Sequence, residues 1–298
     1  YEEIPSLIPN PSFEEMDSCT DYFAQVDRSK GWRQPTDATS DYMNTCGMVF
    51  GAATAAGLQP FPDGNGILGA IFSPGWQEYV GSCLTGPMVA GTPYTIQMNI
   101  ASTPIDGFGD PCNGGVIDFG NIDISIFANT NCSMMPVNTT GCPTGSGWDL
   151  LTAVTYTPTP VWGVITMTFT PAQNYNAIII GSPCTLPASY TPPSGCYPYF
   201  YFDNLILNTS SSFSPITVTP TGGICTNDAM ATANAGTAGG TWQWYFNGVA
   251  IVGQTASTLN VSAIGLGPGD YTALYTLAGE CDVATTTFSG GAGNATIT

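Results

Sequence analysis

Short stretches in which apolar and polar residues alternate recur along the chain, whereas the period of an amphipathic helix is nearly absent. The clearest stretches are rich in β-branched and aromatic residues and cover residues 76–84, 92–102, 119–128, 162–171, 175–182 and 197–208. Strands of this length, bounded by turn-forming residues, are typical of a β-sandwich. The pattern therefore predicts an all-β fold with at most a short helix near residues 53–57.

The texture of the chain changes after "NTSSSFSP" at residues 208–215, a polar, Ser-rich segment that is closed by proline. Aromatic density falls beyond this segment and small residues dominate. Such a composition is typical of a linker. The sequence therefore predicts two domains, which cover residues 1–211 and 212–298.

One carboxylate interrupts the strand "YFDNLILN" at residues 201–208. Strict alternation would place Asp203 on the same face as Tyr201, Leu205 and Leu207, where it needs a partner. The chain has 21 Asp and Glu, 3 Lys and Arg and no His, with formal charge −18, so salt bridges can satisfy few of its acids. We expect a metal ion instead, and oxygen ligands favour calcium. Backbone amides alone are the alternative.

The same charge balance limits the partners of the chain. Nucleic-acid binding requires Lys and Arg to displace counterions from phosphates, and anionic membranes are disfavoured for the same reason. No run of about 18 apolar residues exists, so no membrane insertion is expected. Only 8% of the residues are charged, so Thr, Ser, Asn and apolar groups must cover a surface that either meets partners or resists proteases.

Ten cysteines and no histidine indicate disulfides rather than zinc sites. They predict a secreted protein, extracellular or at the cell surface. The start at Tyr1 has no basic and apolar leader, as expected of a mature chain after signal-peptide removal. Short loops favour Cys132–Cys142, Cys184–Cys196 and Cys19–Cys46, which leaves Cys83 with Cys112, although spacing cannot fix the connectivity.

Residues 213–298 resemble immunoglobulin-like domains. The resemblance depends on Cys225, Trp244 in "QWYFNG", Tyr271 in "GPGDYTALYTLAGEC" and Cys281. It implies a buried central Trp244, a tyrosine corner at Tyr271 and a hairpin at 247–248. Cys281 lies too far beyond Tyr271 for the usual inter-sheet bridge, so a Cys225–Cys281 bond would tie the first strand to a late hairpin.

Residues 4–209 resemble galactose-binding-like jelly rolls, the architecture of many carbohydrate-binding modules. The motifs are "IPNPSFEE" with Asn10, Phe13 and Glu14, the pair Gly31-Trp32, and the closing "YFDNLIL". In that family the first and last strands are neighbours and share a structural calcium ion. The resemblance therefore implies Glu14 and Asp203 as side-chain ligands, with backbone carbonyls completing the coordination.

The ordered motifs between residues 7 and 207 also resemble N-terminal jelly-roll domains of secreted surface proteins of the Bacteroidetes. Such relatives commonly leave the cell by type IX secretion. Adhesion and spacing are the usual roles of these modular surface proteins.

The sequence argues against an enzyme. Without histidine, Ser-His-Asp, Cys-His and His-based zinc sites are impossible. Paired carboxylates could still hydrolyse glycosides, and four acids crowd one region: Asp106, Asp110, Asp118 and Asp123. We interpret these acids, and "DGNG" at 63–66, as turn formers.

Sugar binding would use exposed aromatic rings with polar neighbours. The aromatic candidates are Trp32, Trp76, Trp148, Trp162 and the Tyr run at 197–201, which includes Tyr199. Trp76 and Trp162 open strands and are expected to face inward. Trp148 lies in the Gly-rich "GSGWD" and is therefore expected to be the most exposed of the five.

Two functions follow from these observations. The first is a non-enzymatic structural or adhesive surface protein that assembles with copies of itself into a fibre, sheath or layer, stabilised by disulfides and calcium. Near-absence of Lys and Arg, a mean hydropathy of +0.12 and a two-module plan favour it. The alternative is a glycan-binding module of an adhesin or a carbohydrate-processing system.

Overall fold

A computed structural model describes residues 5–137, 139–213, 217–221, 230–234, 240–267, 269–276, 283–284 and 288–290. The chain divides into two compact units, Tyr1–Thr209 and Ser210–Thr298; the sequence places the boundary between residues 211 and 212. The described part of the chain contains no helix long and apolar enough to cross a membrane.

The first unit is built almost entirely from strands. The strands are β1 (Trp32–Arg33), β2 (Asp41–Asn44), β3 (Gly66–Ser73), β4 (Trp76–Gln77), β5 (Tyr79–Met88), β6 (Tyr94–Ile105), β7 (Ile122–Asn129), β8 (Asp149–Tyr156), β9 (Gly163–Phe169), β10 (Tyr175–Gly181) and β11 (Tyr197–Thr209). One short helix, α1 (Gly51–Ala55), lies between β2 and β3. Short 3-10 turns cover Val26–Arg28, Asn113–Gly115, Cys132–Met134 and Pro143–Ser146.

These strands form two antiparallel sheets that pack face to face as a jelly-roll sandwich. One sheet has the order β1-β5-β10-β7-β8, and the other has the order β2-β3-β11-β6-β9, with β4 paired to β3. Alternate residues of both sheets fill the space between them; Phe200 and Phe202 of β11 meet Ile178 and Ile180 of β10 in this core. The predicted all-β sandwich is confirmed.

The outward face of each sheet carries a second apolar layer. On the five-stranded sheet, residues between β7 and β8 cover Tyr79, Phe127 and Ile179. On the other sheet, helix α1 and its flanks cover Ile67, Ala101 and Tyr201. We call this layer the α1 cover; its buried side chains are Phe50, Ala52, Ala53, Leu58 and Phe61. Because both faces of the central strands are buried, β3 reads "GILGAIFS" without polar alternation.

Strand β11 changes face within the predicted strand. Its register with β6 shifts between Asp203 and Ile206, and Asn204 has a φ of 50°. This bulge returns Leu205 and Leu207 to the core between the sheets, whereas Tyr201 lies on the outward face. The expectation that Tyr201, Asp203, Leu205 and Leu207 share one face was wrong, because an extra residue inverts the alternation.

Four disulfides tie the first unit together, and only Cys19–Cys46 was paired correctly from sequence. The other three bonds join Cys83 to Cys132, Cys112 to Cys196 and Cys142 to Cys184. The predicted pairs 132–142, 184–196 and 83–112 are therefore wrong. The sheet order explains one bond: β10 lies between β5 and β7, so Cys83 and the segment after β7 meet beside Ala177. Cys225 and Cys281 lie outside the described residues.

The second unit has eight described strands and two short helices. They are β12 (Thr217–Thr221), β13 (Met230–Asn234), β14 (Thr241–Phe246), β15 (Val249–Ala250), β16 (Thr258–Asn260), β17 (Gly269–Thr276), β18 (Val283–Ala284) and β19 (Phe288–Gly290), with α2 (Ser210–Phe213) and α3 (Val261–Ile264). Trp244 is fully buried, and the Tyr271 hydroxyl donates to the Gly267 carbonyl at 2.7 Å. Asn247 and Gly248 link β14 to β15 with positive φ, as predicted for a tight hairpin.

Candidate functional site

The two ends of the first unit lie side by side, as the sequence predicts. Leu7 N–H donates to the Leu207 carbonyl at 2.7 Å, and Leu205 N–H donates to the Pro11 carbonyl at 2.9 Å. The segment before Glu14 therefore lies along the end of β11. This arrangement brings Glu14 and Asp203 to the same turn, residues 63–66.

Both acids bind backbone amides of that turn. Asp203 Oδ2 accepts from Asp63 N–H at 2.9 Å, while its Oδ1 accepts from Asn204 N–H at 2.7 Å. Glu14 Oε1 accepts from the N–H groups of residues 65 and 66 at 2.7 and 2.6 Å. Gly64 has a φ of 79°, and a Cβ there would lie 2.3 Å from Cδ of Glu14. The turn chemistry of "DGNG" therefore serves the close approach of these acids.

No basic side chain neutralises this group. Asp203 is fully buried, and burial together with the nearby charges of Asp63 and Glu14 raises its pKa to about 8. Within the described residues the only ion pair is Arg28 with Asp21. No three Asp, Glu, Cys or His side chains of the described chain are close enough to hold a metal by themselves. A cation here would need backbone oxygens or water as further ligands.

The aromatic residues chosen from sequence for sugar binding lie in the interior. Trp148, expected to be exposed, is 2% exposed and packs in the layer that covers the five-stranded sheet. Trp32 is equally buried; its ring lies 5.0 Å from that of Phe13, and its Nε1–H donates to the Asn10 carbonyl. Tyr199 is fully buried as well. None of the three offers a free ring face, so this prediction is corrected.

A groove of about 390 Å³ opens on the outward face of the six-stranded sheet, beside the end of the α1 cover. Strands β2, β3, β6 and β11 supply its floor, and β4 supplies one wall. The lining consists of Phe23, Thr39, Asp41, Phe50, Ile71, Trp76, Glu78, Ile105, Asp106, Gly107, Gly109, Tyr197 and Tyr199. Of the aromatic candidates named from sequence, Trp76, Tyr197 and Tyr199 line it.

Tyr199 forms the floor by crossing a neighbouring strand. Its hydroxyl donates to Asp41 Oδ2 at 2.7 Å, although β3 lies between β11 and β2. The ring can cross because position 69 of β3 is glycine: a Cβ at Gly69 would lie 2.1 Å from the Tyr199 hydroxyl. The second oxygen of Asp41 accepts from Ala24 N–H. Asp41 is therefore fixed beneath the groove.

The wall beside this floor carries an exposed ring. Trp76 is 40% exposed, and its Nε1–H donates to Glu78 Oε1 at 2.9 Å. Tyr197, 38% exposed, presents a second ring on β11. Asp106 at the rim shapes its own loop by accepting from Phe108 N–H at 2.8 Å, which bears out its interpretation as a turn former.

Two carboxylates of the groove are buried, and both have raised pKa values. Asp41 is 4% and Glu78 is 3% exposed. Burial raises the pKa of Asp41 to about 6, and burial followed by the charge of Asp41 raises the pKa of Glu78 well above its ordinary value. No Lys or Arg occurs among the residues that line the groove. The groove is therefore acidic and aromatic.

Sequence reasoning named Trp76 as an aromatic candidate but placed it in the interior, and it missed Asp41 and Glu78. Trp76 was expected to face inward, yet the tight turn at Gly75 brings it to the surface on a two-residue strand. The motif "WQE" places Glu78 two residues after Trp76, a spacing that keeps both side chains on one face of an extended chain. That spacing was the available signal. Nothing local marks Asp41, because its partners come from β11 and from Ala24.

Comparison with known proteins finds similarity only at the level of fold. No protein-family model and no curated protein matches the chain. A solved structure described as "CBM4 structure and function" is 16% identical and covers 68% of this chain and 99% of its own, with a TM-score of 0.33.

Two other solved structures show the same level of similarity. The N-terminal cellulose-binding domain of Cellulomonas fimi β-1,4-glucanase C is 12% identical over 69% of this chain and 97% of its own, with a TM-score of 0.31. The K1 cleaved adhesin domain of Lys-gingipain from Porphyromonas gingivalis W83 is 11% identical over 66% and 95%, with a TM-score of 0.34. Similarity this distant does not indicate a shared ligand.

Proposed function

We propose that the protein binds glycans in the groove on the six-stranded sheet and acts as a non-enzymatic, extracellular binding module. The observation that supports this most directly is the pair of exposed rings, Trp76 and Tyr197, above a floor of fixed polar groups. Binding sites for small ligands combine apolar or aromatic walls with a few oriented polar groups. Four disulfides in the first unit accord with an oxidising compartment.

The chemistry of the groove suits a sugar. Ring faces of Trp and Tyr pack against the apolar faces of pyranoses, and carboxylate oxygens accept hydrogen bonds from sugar hydroxyls. Asp41 and Glu78 each have one neutral donor on each oxygen, which leaves further lone pairs for a ligand. Since the lining carries acids and no Lys or Arg, glycans with uronate or sulfate groups are disfavoured.

The test is glycan binding by the full chain and by Trp76→Ala. We expect the parent to bind at least one neutral oligosaccharide on an array, and the variant to lose about 10- to 100-fold in affinity, since loss of a stacking ring costs about 1–3 kcal/mol. Leu150→Ala is the matched control, because Leu150 is 54% exposed on β8 of the opposite sheet.

Two results would contradict the proposal. Either the parent binds no glycan at all, or Trp76→Ala binds as tightly as the parent. Cleavage of the bound oligosaccharide would overturn the non-enzymatic part, since Asp41 and Glu78 are paired carboxylates in the same groove.

We further propose that a calcium ion binds between Glu14 and Asp203. The side-chain donors are the carboxylates of Glu14 and Asp203, which meet at the 63–66 turn with no basic partner among the described residues, and backbone oxygens or water would complete the coordination. Hard oxygen ligands of this kind favour Ca²⁺. When bound, the ion would neutralise the acids that join the N-terminal segment to β11. Chelation should therefore lower the melting temperature.

Self-assembly into a fibre, sheath or layer stays a prediction, and no described surface favours it over glycan binding. Electron microscopy of native material at millimolar calcium would test it directly. Particles that remain single would contradict it.

A further inference from the structure

The wall of the groove is a hairpin whose two strands are joined by Glu78. Ser73 pairs with Trp76 across the turn, and Phe72 pairs with Gln77. Beyond the ladder, Glu78 N–H donates to the Ile71 carbonyl at 2.9 Å, and Glu78 Oε2 accepts from Ile71 N–H at 2.6 Å. The carboxylate is therefore fixed to β3 by both its backbone and its side chain.

The remaining oxygen of Glu78 holds the exposed indole. Trp76 Nε1–H donates to Glu78 Oε1 at 2.9 Å, although 40% of the Trp76 surface faces solvent. An exposed side chain on a two-residue strand is otherwise free to change rotamer, and ordering it on binding costs affinity. Burial of the carboxylate is also costly in a site without a cation. Hairpin formation alone does not require that cost, because the backbone ladder already joins the strands.

We propose that Glu78 is a positioning residue that holds the indole of Trp76 over the groove, and that protonation of Glu78 releases the indole and weakens glycan binding. This inference rests on the proposed function of the same groove. It adds a control of that function by pH.

Protonation acts on the weaker of the two bonds. Both oxygens of Glu78 accept from N–H donors, and a protonated carboxyl oxygen is a poor acceptor. Ile71 N–H is held by the backbone of β3, whereas the Trp76 side chain can rotate away. The indole is therefore the group released when one acceptor is lost.

The surroundings of Glu78 determine the pH at which its carboxylate is protonated. The other titratable groups that line the groove are Asp41 of β2, Tyr197 and Tyr199 of β11, and Asp106 after β6; of these, Asp41 and Tyr199 interact electrostatically with Glu78. Burial and the charge of Asp41 raise the pKa of Glu78 well above its ordinary value. The protonated form therefore persists to higher pH than in a free glutamate. Binding should strengthen as pH rises through the pKa of Glu78 in the folded protein.

The direct test needs no glycan. The indole N–H resonance of Trp76, assigned from its absence in Trp76→Phe, is followed between about pH 4.5 and about pH 9. We expect one transition in the parent, its loss in Glu78→Gln, and a transition at lower pH in Asp41→Asn, where the neighbouring charge is absent. Glutamine is not a substitute here, because its amide NH₂ would face one of the two N–H donors.

Glycan affinity is measured over the same range. We expect the parent to gain about 10-fold across the transition, the value of one hydrogen bond to a charged group. Glu78→Gln should bind weakly at every pH, and Trp76→Phe should keep only the pH dependence that Asp41, with a pKa of about 6, contributes. A Trp76 resonance that ignores pH in the parent while the Glu78 carboxyl titrates overturns the positioning role. Absence of glycan binding at every pH overturns the proposed function instead, with its pH control.

Discussion

The outward faces of the two sheets carry the same kind of apolar row but are covered to different extents. On the five-stranded sheet the segment between β7 and β8 buries the outward side chains of Tyr79, Phe127 and Ile179, and its cysteines bond to Cys83 and Cys184. On the six-stranded sheet the α1 cover ends at Tyr199, whose ring packs against Phe50. The outward row of β11 continues past it and ends at Tyr197, which is 38% exposed. The outward face of the five-stranded sheet therefore adds a buried apolar layer, whereas that of the six-stranded sheet carries a groove.

Two tryptophans show what this difference means. Trp148 follows Gly147 and Trp76 follows Gly75, so their local contexts are alike. Yet Trp148 is 2% exposed and Trp76 is 40% exposed. The position of the cover decides which tryptophan contributes to stability and which can meet a ligand.

The largest expected loss of stability comes from removing a buried ring from the outward layer of the five-stranded sheet. Trp148→Ala removes a buried ring from the cluster around Tyr79 and Phe127 and should destabilise the first unit by about 4 kcal/mol. Denaturant unfolding measures it. Glycan affinity of the folded protein should not change, because Trp148 lies on the other sheet. A stability loss below about 1 kcal/mol would contradict the burial of Trp148 in this layer.

The next largest loss of stability is expected from a substitution in the floor of the groove on the six-stranded sheet. Gly69→Ala places a Cβ against the Tyr199 hydroxyl, which is locked to Asp41, so the ring must move. Overpacking of this kind costs about 2–3 kcal/mol. Gly57→Ala is the control, since a Cβ at Gly57 meets nothing within 4 Å and only its φ of 70° is strained. Equal losses of stability in the two variants would contradict the crossing of β3 by Tyr199.

Much of this architecture follows from sequence, and the failures have physical causes. The six predicted stretches correspond to β4 and β5, β6, β7, β9, β10 and β11, because turn residues and alternation are local signals. Strand β3 was missed because burial on both faces removes alternation. Strand β8 was missed because it follows a Gly-rich segment.

The candidate site was harder to predict than the fold. The first and last segments of the sandwich were correctly placed together, because both carry recognisable motifs. Asp41 and Tyr199 lie far apart in sequence, and the groove exists only where the α1 cover ends. Disulfide pairing failed for the same reason, since excursions from different strands meet on the folded surface.

Asp203, on β11 of the six-stranded sheet, makes the stability of the first unit depend on pH. Its pKa is raised from 3.8 to about 8 by burial and by Asp63 and Glu14. The protonated acid therefore stabilises the fold, fully below about pH 4, and this contribution is lost as pH rises through about 8. Without calcium, the free energy of unfolding should therefore fall as the pH rises from about 4 to about 8.

Calcium should reverse this dependence of stability on pH, because the ion binds the deprotonated carboxylate. An ion at 100 times its dissociation constant stabilises the native state by about 2.7 kcal/mol. Unfolding is followed by calorimetry from about pH 4 to about pH 8, with calcium or with chelator. In Asp203→Asn both the calcium effect and part of the pH dependence should vanish, while Asp41 and Glu78 keep the remainder. Equal melting temperatures of the parent with calcium and with chelator would contradict a site at Asp203.

The smallest effect on stability is expected at the exposed end of the same face. Trp76→Ala should cost only about 1 kcal/mol, because much of the ring already faces solvent and the lost hydrogen bond leaves Glu78 held by Ile71. The same variant should lose glycan binding. Thermal unfolding compared with Trp148→Ala separates the two tryptophans: one variant should lose stability and keep binding, and the other should lose binding and keep stability. If both lose stability equally, the face carrying Trp76 is as closed as its counterpart, and the groove is not a binding surface.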